Sequence, residues 1–195
     1  MFELIPFITY VLVVTFTPGP NNILSLVNAN KSGYRKTLNF LLGIFTGFII
    51  IMLLSSYFNL LLFSILPTLK NYIGILGAVY MTYLAVNLMT SKFNSNPKNL
   101  QFNSFYTGMI MQFINPKVII YGITVVANFI IPYYQTNFTL ILFSLFLASL
   151  VFIATSSWAL FGTIFRDFLA KYEKPVNFAM GILLLYSAYS LSGIN

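Results

Sequence analysis

Two short stretches carry the groups that could do chemistry in this chain. They are Thr17-Pro18-Gly19-Pro20-Asn21-Asn22 and Asn115-Pro116-Lys117, and both interrupt apolar sequence. A proline removes an N–H and clashes with the preceding turn, so a helix unwinds or kinks there. Two prolines flanking a glycine should break it more thoroughly than one. Thr17 or Asn115 can cap a restarting helix, with Pro18 or Pro116 at its first position. Each restart then aims free N–H groups and a positive dipole end at the gap. The natural occupant is an anionic group such as an amino-acid carboxylate. Lys117 strengthens this reading. A charge deep in a membrane span costs roughly 2.5–3.5 kcal/mol on insertion scales, and a cation in the first helical turn is opposed by the dipole as well. A bound carboxylate would offset both penalties.

Other chemistries lack their residues. The chain has no Cys and no His, and its acids are Glu3, Asp167 and Glu173. Disulfides, thiol redox, metal sites, a Ser-His-Asp triad and a catalytic carboxylate pair therefore have almost nothing to be built from. No enzyme, no metal and no cofactor is expected. The net charge of +7 does not point to nucleic acid, because the basic residues sit in short loops between apolar runs. There they orient a membrane protein and face lipid headgroups.

The elements that must position the two stretches are membrane helices. Of 195 residues, 58% are hydrophobic and 7% charged, whereas soluble domains carry about 25% charged residues. Six charge-poor runs, 2–27, 38–66, 72–89, 105–131, 138–165 and 176–194, each approach or exceed the roughly 20 apolar residues that span a bilayer core. The first is too long and too poor in N-terminal basic charge for a cleaved signal peptide. A single transmembrane domain over residues 1–195 is expected, with no soluble domain attached. The first, third and fifth loops carry Lys31, Arg35, Lys36, Lys92, Lys98, Arg166, Lys171 and Lys174, against Lys70 alone on the other side. That bias places both termini outside.

Pro18 and Pro116 lie 98 residues apart, half the chain length, each near the middle of its span. Three spans per half force the second half to enter the membrane inverted. The fold class expected is thus all-α, with six transmembrane helices as two inverted three-helix repeats, the first and fourth broken at proline. Paired interruptions of this kind point to a transporter site at the midplane. Gly43 with Gly47, and Gly74 with Gly77, read as notches for close helix packing. Thr155, Ser156, Ser157 and Trp158 either line the same cavity or bond their own backbone. Tyr133 and Tyr134 after Pro132 read as an interfacial belt, and 92–103 as a polar loop.

These features resemble the LysE/RhtB family of bacterial amino-acid exporters over the whole chain. The resemblance rests on 17–26 (TPGPNNILSL), on 111–122 (MQFINPKVIIYG) and on Phe129-Ile130-Ile131-Pro132, and is closest to the cysteine/O-acetylserine exporter subgroup. It implies a multi-pass protein of the bacterial cytoplasmic (inner) membrane and a small amino-acid substrate. The positions carried over as substrate-binding are Pro18, Gly19, Pro20, Asn21, Asn22, Asn115, Pro116 and Lys117, with Thr17 beside them. Branches that export lysine or arginine look as if they use embedded acids, which this chain lacks in its spans. A neutral zwitterion fits better, because a second cationic group facing Lys117 would be costly in low dielectric. Its carboxylate would meet Lys117 and the half-helix N-termini. Its ammonium would meet Asn oxygens and the carbonyls released before Pro18 and Pro116.

The expected function is export of small neutral amino acids or derivatives by alternating access, of cysteine/O-acetylserine type, with homoserine/threonine or leucine as further cargoes. The alternative is a non-catalytic membrane subunit handling lipid or ions with a partner protein. A chain of this length forms a pocket alone or shares one across a homodimer, and both stay open. With no buried acid or His, Lys117 is the candidate proton carrier if transport is proton-coupled. Arg does not readily give up its proton, so Lys117→Arg is expected to lose transport driven by a pH gradient in proteoliposomes. Full proton-coupled transport by that variant would end the idea.

Overall fold

The computed structural model describes residues 2–59, 75, 78–90 and 103–192. Lys70, Gly74, Gly77, Lys92 and Lys98 lie outside the described residues, as do the expected span ends 60–66, 72–74 and 193–194. Among the described residues the structure is helical, without strands.

A residue before proline is pushed out of the helical region into extended backbone, and Thr17-Pro18-Gly19-Pro20 contains two such residues. Helix α1 (Leu4–Phe16) accordingly ends at Thr17 (φ −62°, ψ 147°), and Gly19 is also extended (φ −172°, ψ 175°). Helix α2 (Pro20–Ser32) restarts only at Pro20, and its axis is bent 45° from that of α1. This corrects the expected restart: Pro20, not Pro18, takes the first helical position, and Thr17 closes α1 instead of capping α2.

Helix α2 stops at Gly33, whose φ of +83° suits a residue without a Cβ and lets its N–H reach the Ala29 carbonyl at 2.8 Å. Helix α3 (Tyr34–Tyr57) follows at once. The expected first loop is therefore nearly all helix, with Lys31 closing α2 and Arg35 and Lys36 opening α3. The expected fifth loop is likewise mostly helical: after α7 (Asn137–Ile164) come α8 (Arg166–Lys171) and α9 (Glu173–Ser192). Charge marks where water begins, not where the hydrogen-bond ladder ends. At its other end α3 closes at Phe58, and the remainder of that expected span, 60–66, is outside the described residues.

The second break is more economical. Helix α5 (Phe105–Ile114), capped by the Ser104 hydroxyl, ends at Asn115. Helix α6 (Pro116–Val125) begins with Pro116 at its first position, and the Asn115 side-chain oxygen accepts from Lys117 N–H at 3.1 Å. This cap is as expected. The helix runs on as one π turn, Val126–Ile130, and the two limbs meet at 66°. One further apolar helix, α4 (Ala78–Thr90), precedes α5.

By length and composition α3 and α7 can each cross a membrane, and each bent pair qualifies when taken as one span. At 1.5 Å per residue the 24 residues of α3 reach roughly 36 Å, more than the hydrocarbon core of about 30 Å. Large apolar side chains such as Ile5, Phe138 and Ile164 stand exposed, which suits lipid and not water.

Helix α3 sits centrally, packing on α2, α5, α6 and α7. Its contact with α5 is backbone on backbone. A Cβ at Gly43 would land on the Phe105 carbonyl, one at Gly47 would lie 2.6 Å from the Met109 carbonyl oxygen, and one at Gly108 would strike that of Phe40. The Gly43–Gly47 notch is thus a packing device, as its spacing suggests. Tyr133 and Tyr134 pack edge-on against Phe2, at ring distances of 5.7 and 5.6 Å, so the expected belt residues also tie the start of α1 to the chain after α6. Backbone cannot yield as a side-chain tip can, so Gly43→Ala is expected to destabilise by about 1–3 kcal/mol. Thermal unfolding in detergent would check this; an unchanged midpoint would mean that α3 and α5 separate freely.

Candidate functional site

A helix that ends inside a membrane protein leaves its last carbonyls without N–H partners, and each must be met by something other than water. The accounting at the end of α1 is complete. The Val14 carbonyl accepts from the Thr17 hydroxyl at 3.0 Å, and that of Thr15 from the Asn22 amide at 2.9 Å. Phe16's accepts from the Trp158 indole of α7 at 3.3 Å. Thr17's accepts twice, from Asn22 at 2.9 Å and from the Lys117 ammonium at 3.1 Å. Lys117 Nζ also donates to the Thr17 hydroxyl at 3.0 Å. The second break therefore supplies the cation that closes the first.

The approach is tight because Gly19 has no side chain. A Cβ there would lie 3.2 Å from Lys117 Nζ and 3.3 Å from its Cδ. Helix α2 has Gly19 as its N-cap and no capping side chain. The first-turn N–H groups of Asn21 and Asn22, which a cap would serve, thus stand near the Lys117 ammonium.

Beneath this lies an amide network. Asn21 and Gln112 exchange two hydrogen bonds, Asn21 Nδ2 donating at 2.8 Å and Gln112 Nε2 at 3.2 Å. Gln112 Nε2 also donates to the Gly108 carbonyl at 2.8 Å, and Asn115 Nδ2 reaches Asn21 Oδ1 at 3.4 Å. All three side chains are buried, Gln112 completely. Amides suit this role, since each both donates and accepts without carrying charge.

A half-open cavity lies beside the two breaks. Its polar wall comes from Thr15, Gly19, Asn21, Asn22, Asn115, Lys117 and Tyr121; Val14, Pro20, Phe48, Val118 and Val151 complete the lining. Of the residues singled out from sequence, Gly19, Pro20, Asn21, Asn22, Asn115 and Lys117 line it. Thr17 instead holds Lys117, while Pro18 and Pro116 shape backbone. Gln112, Thr15 and Tyr121 were not singled out. An amide inside an apolar run, three residues before Asn115, was the available sign for Gln112. Thr155 and Ser157 bond their own helix at Val151 and Ile153, and of the run Thr155-Ser156-Ser157-Trp158 only Trp158 reaches the break. Among the described residues no group of side chains could hold a metal ion.

Fold and cavity define a helical membrane protein whose two broken helices meet at a polar chamber. Residues 12–192 match the LysE type translocator family, and the chain belongs to it. Cysteine/O-acetylserine efflux proteins of Escherichia coli (strain K12) and Shigella flexneri serotype 5b (strain 8401) are each 34% identical over 182 residues, covering 93% of this chain and 93% of theirs. No solved structure gives a significant match. The chain is a translocator and not an enzyme.

Removing one amide from a buried pair strands the other, at about 1–3 kcal/mol. Asn21→Leu and Gln112→Leu are each expected to destabilise by that order. The double variant should cost less than their sum, with a coupling of about 0.5–2 kcal/mol. Unfolding in detergent measures all three, and strict additivity would show that the two breaks are not joined here.

Proposed function

We propose that this translocator exports small neutral amino acids or their derivatives across the bacterial cytoplasmic membrane by alternating access. The observation that carries the reading is the convergence of both breaks on Lys117. Its ammonium stands at the Gly19 end of α2, next to uncapped N–H groups. An ammonium beside a helix N-terminus is a receptor for a carboxylate. Two of the three ammonium hydrogens go to Thr17, which leaves one for the substrate.

The substrate ammonium then needs oxygens. The Thr17 carbonyl already accepts two bonds, so it is not the receptor expected from sequence. The Thr15 carbonyl accepts one and keeps a second lone pair. With the Asn22 side-chain oxygen it forms the receptor in this reading. No acid lines the cavity, which disfavours a second positive charge on the cargo. Cysteine and O-acetylserine, the cargoes in the names of the similar efflux proteins, are the first candidates here, ahead of homoserine, threonine and leucine.

In this reading the chain forms six spans as two inverted three-helix repeats with both termini outside. The matching positions of the two breaks and the loop charge bias support it. In this reading both breaks of one chain meet at the cavity, so each copy carries its own site.

The test is counterflow in proteoliposomes with labelled O-acetylserine, cysteine, homoserine, leucine and lysine. Wild type should exchange at least one neutral amino acid and not lysine, and Lys117→Met should lose that exchange. Equal counterflow by both proteins would remove Lys117 from the site. Absence of any amino-acid counterflow would overturn the exporter reading.

A further inference from the structure

Seven buried side-chain atoms among the described residues lack a hydrogen-bond partner, and only two of these line the cavity: Thr15 Oγ1 and Tyr121 Oη. Buried polar groups are nearly always paired, so each exception needs a reason. Tyr121 is 3% exposed. It lies four residues after Lys117 on α6, so both side chains leave the same helix face, about 6 Å apart along the axis. Helical side chains lean toward the N-terminus, which brings the Tyr121 hydroxyl back under the Lys117 turn. Thr15 faces it from the end of α1 within hydrogen-bonding reach of the phenol, and neither hydroxyl has any other partner.

The ring that carries the Tyr121 hydroxyl is held firmly. It stacks on Tyr10 with centroids 5.9 Å apart and planes 4° from parallel, and Phe48 packs against it at 5.8 Å. A fixed hydroxyl with an unused hydrogen and lone pairs is a preorganised recognition group.

We propose that Tyr121 and Thr15 form the side-chain subsite of the cavity and select cargoes whose side chain carries a hydrogen-bonding group: a thiol, a hydroxyl or an ester. The inference rests on the exporter reading and deepens it. Lys117 and the α2 N-terminus read the part common to all amino acids, and these two hydroxyls read the part that differs. A hydroxyl, thiol or ester carbonyl on the cargo pairs groups that an aliphatic side chain would leave unpaired. That is the arrangement by which a site rejects an isostere lacking the polar atom.

The experiment compares isosteric pairs in counterflow: cysteine against 2-aminobutyrate, and homoserine against norvaline. It uses wild type, Tyr121→Phe, Thr15→Val and Thr15→Ser. Wild type should favour the polar member of at least one pair. Tyr121→Phe and Thr15→Val should each lower that preference roughly tenfold, mainly by slowing the polar substrate, while Thr15→Ser, which keeps the hydroxyl, should retain it. The two removals act from different helices, so failure of one variant to insert leaves the other as the test. Wild type that exchanges amino acids without polar preference would overturn the subsite alone. So would a preference unchanged in both variants, or one slowed equally for both members of each pair. Wild type that exchanges no amino acid would overturn the exporter reading and this inference with it.

Discussion

A backbone carbonyl without a partner inside the bilayer costs several kcal/mol, and the break after α1 creates four in a row. Most of the local sequence is an answer to that constraint. The groups that satisfy Val14, Thr15, Phe16 and Thr17 come from the break itself, from α2, from α7 and from α6. Four separate stretches of chain are thereby fixed around one short extended segment. The cavity exists because that segment cannot be helical, and its walls hold still because its carbonyls are all engaged.

The second constraint is that the two breaks cannot be positioned independently. Asn21 stands in the first turn after one break, Gln112 and Asn115 just before and at the other, and their amides are interlocked. Close glycine contacts press α5 against α3, so a shift of the second break is felt by the central helix as well. Low dielectric strengthens such a network when every member is paired and makes a half-satisfied one costly. The two bends therefore behave as one unit.

The chemistry of proline was legible in the sequence: both breaks and the Asn115 cap follow from it. The restart at Pro20 was missed because Gly19 also precedes a proline, and two consecutive pre-proline restrictions delay a helix by two residues. Helices run past the expected span ends near Lys31, Arg35 and Arg166 because hydropathy records the lipid boundary while helices continue into water. Gln112 and Tyr121 were hidden for a different reason. Within an apolar run, nothing in their spacing shows which side faces a cavity, and that depends on the rotation of α5 and α6 against α3. On α7 the hydroxyls of Thr155 and Ser157 close on their own helix while Trp158 reaches the break.

Lys117 links occupancy to backbone. Its ammonium satisfies the Thr17 carbonyl, so any anion that draws it into the cavity weakens the closure of the first break. A ligand shifts a conformational equilibrium only by its differential affinity for the two states. In the proposed reading a carboxylate on the third ammonium hydrogen draws Lys117 away from the Thr17 oxygens, so its affinity differs between a break held by Lys117 and one released. The Asn22 amide still holds the Thr17 carbonyl when Lys117 leaves, so release does not strand it. The break can therefore have two satisfied arrangements, and in the proposed reading a substrate carboxylate is the group that distinguishes them.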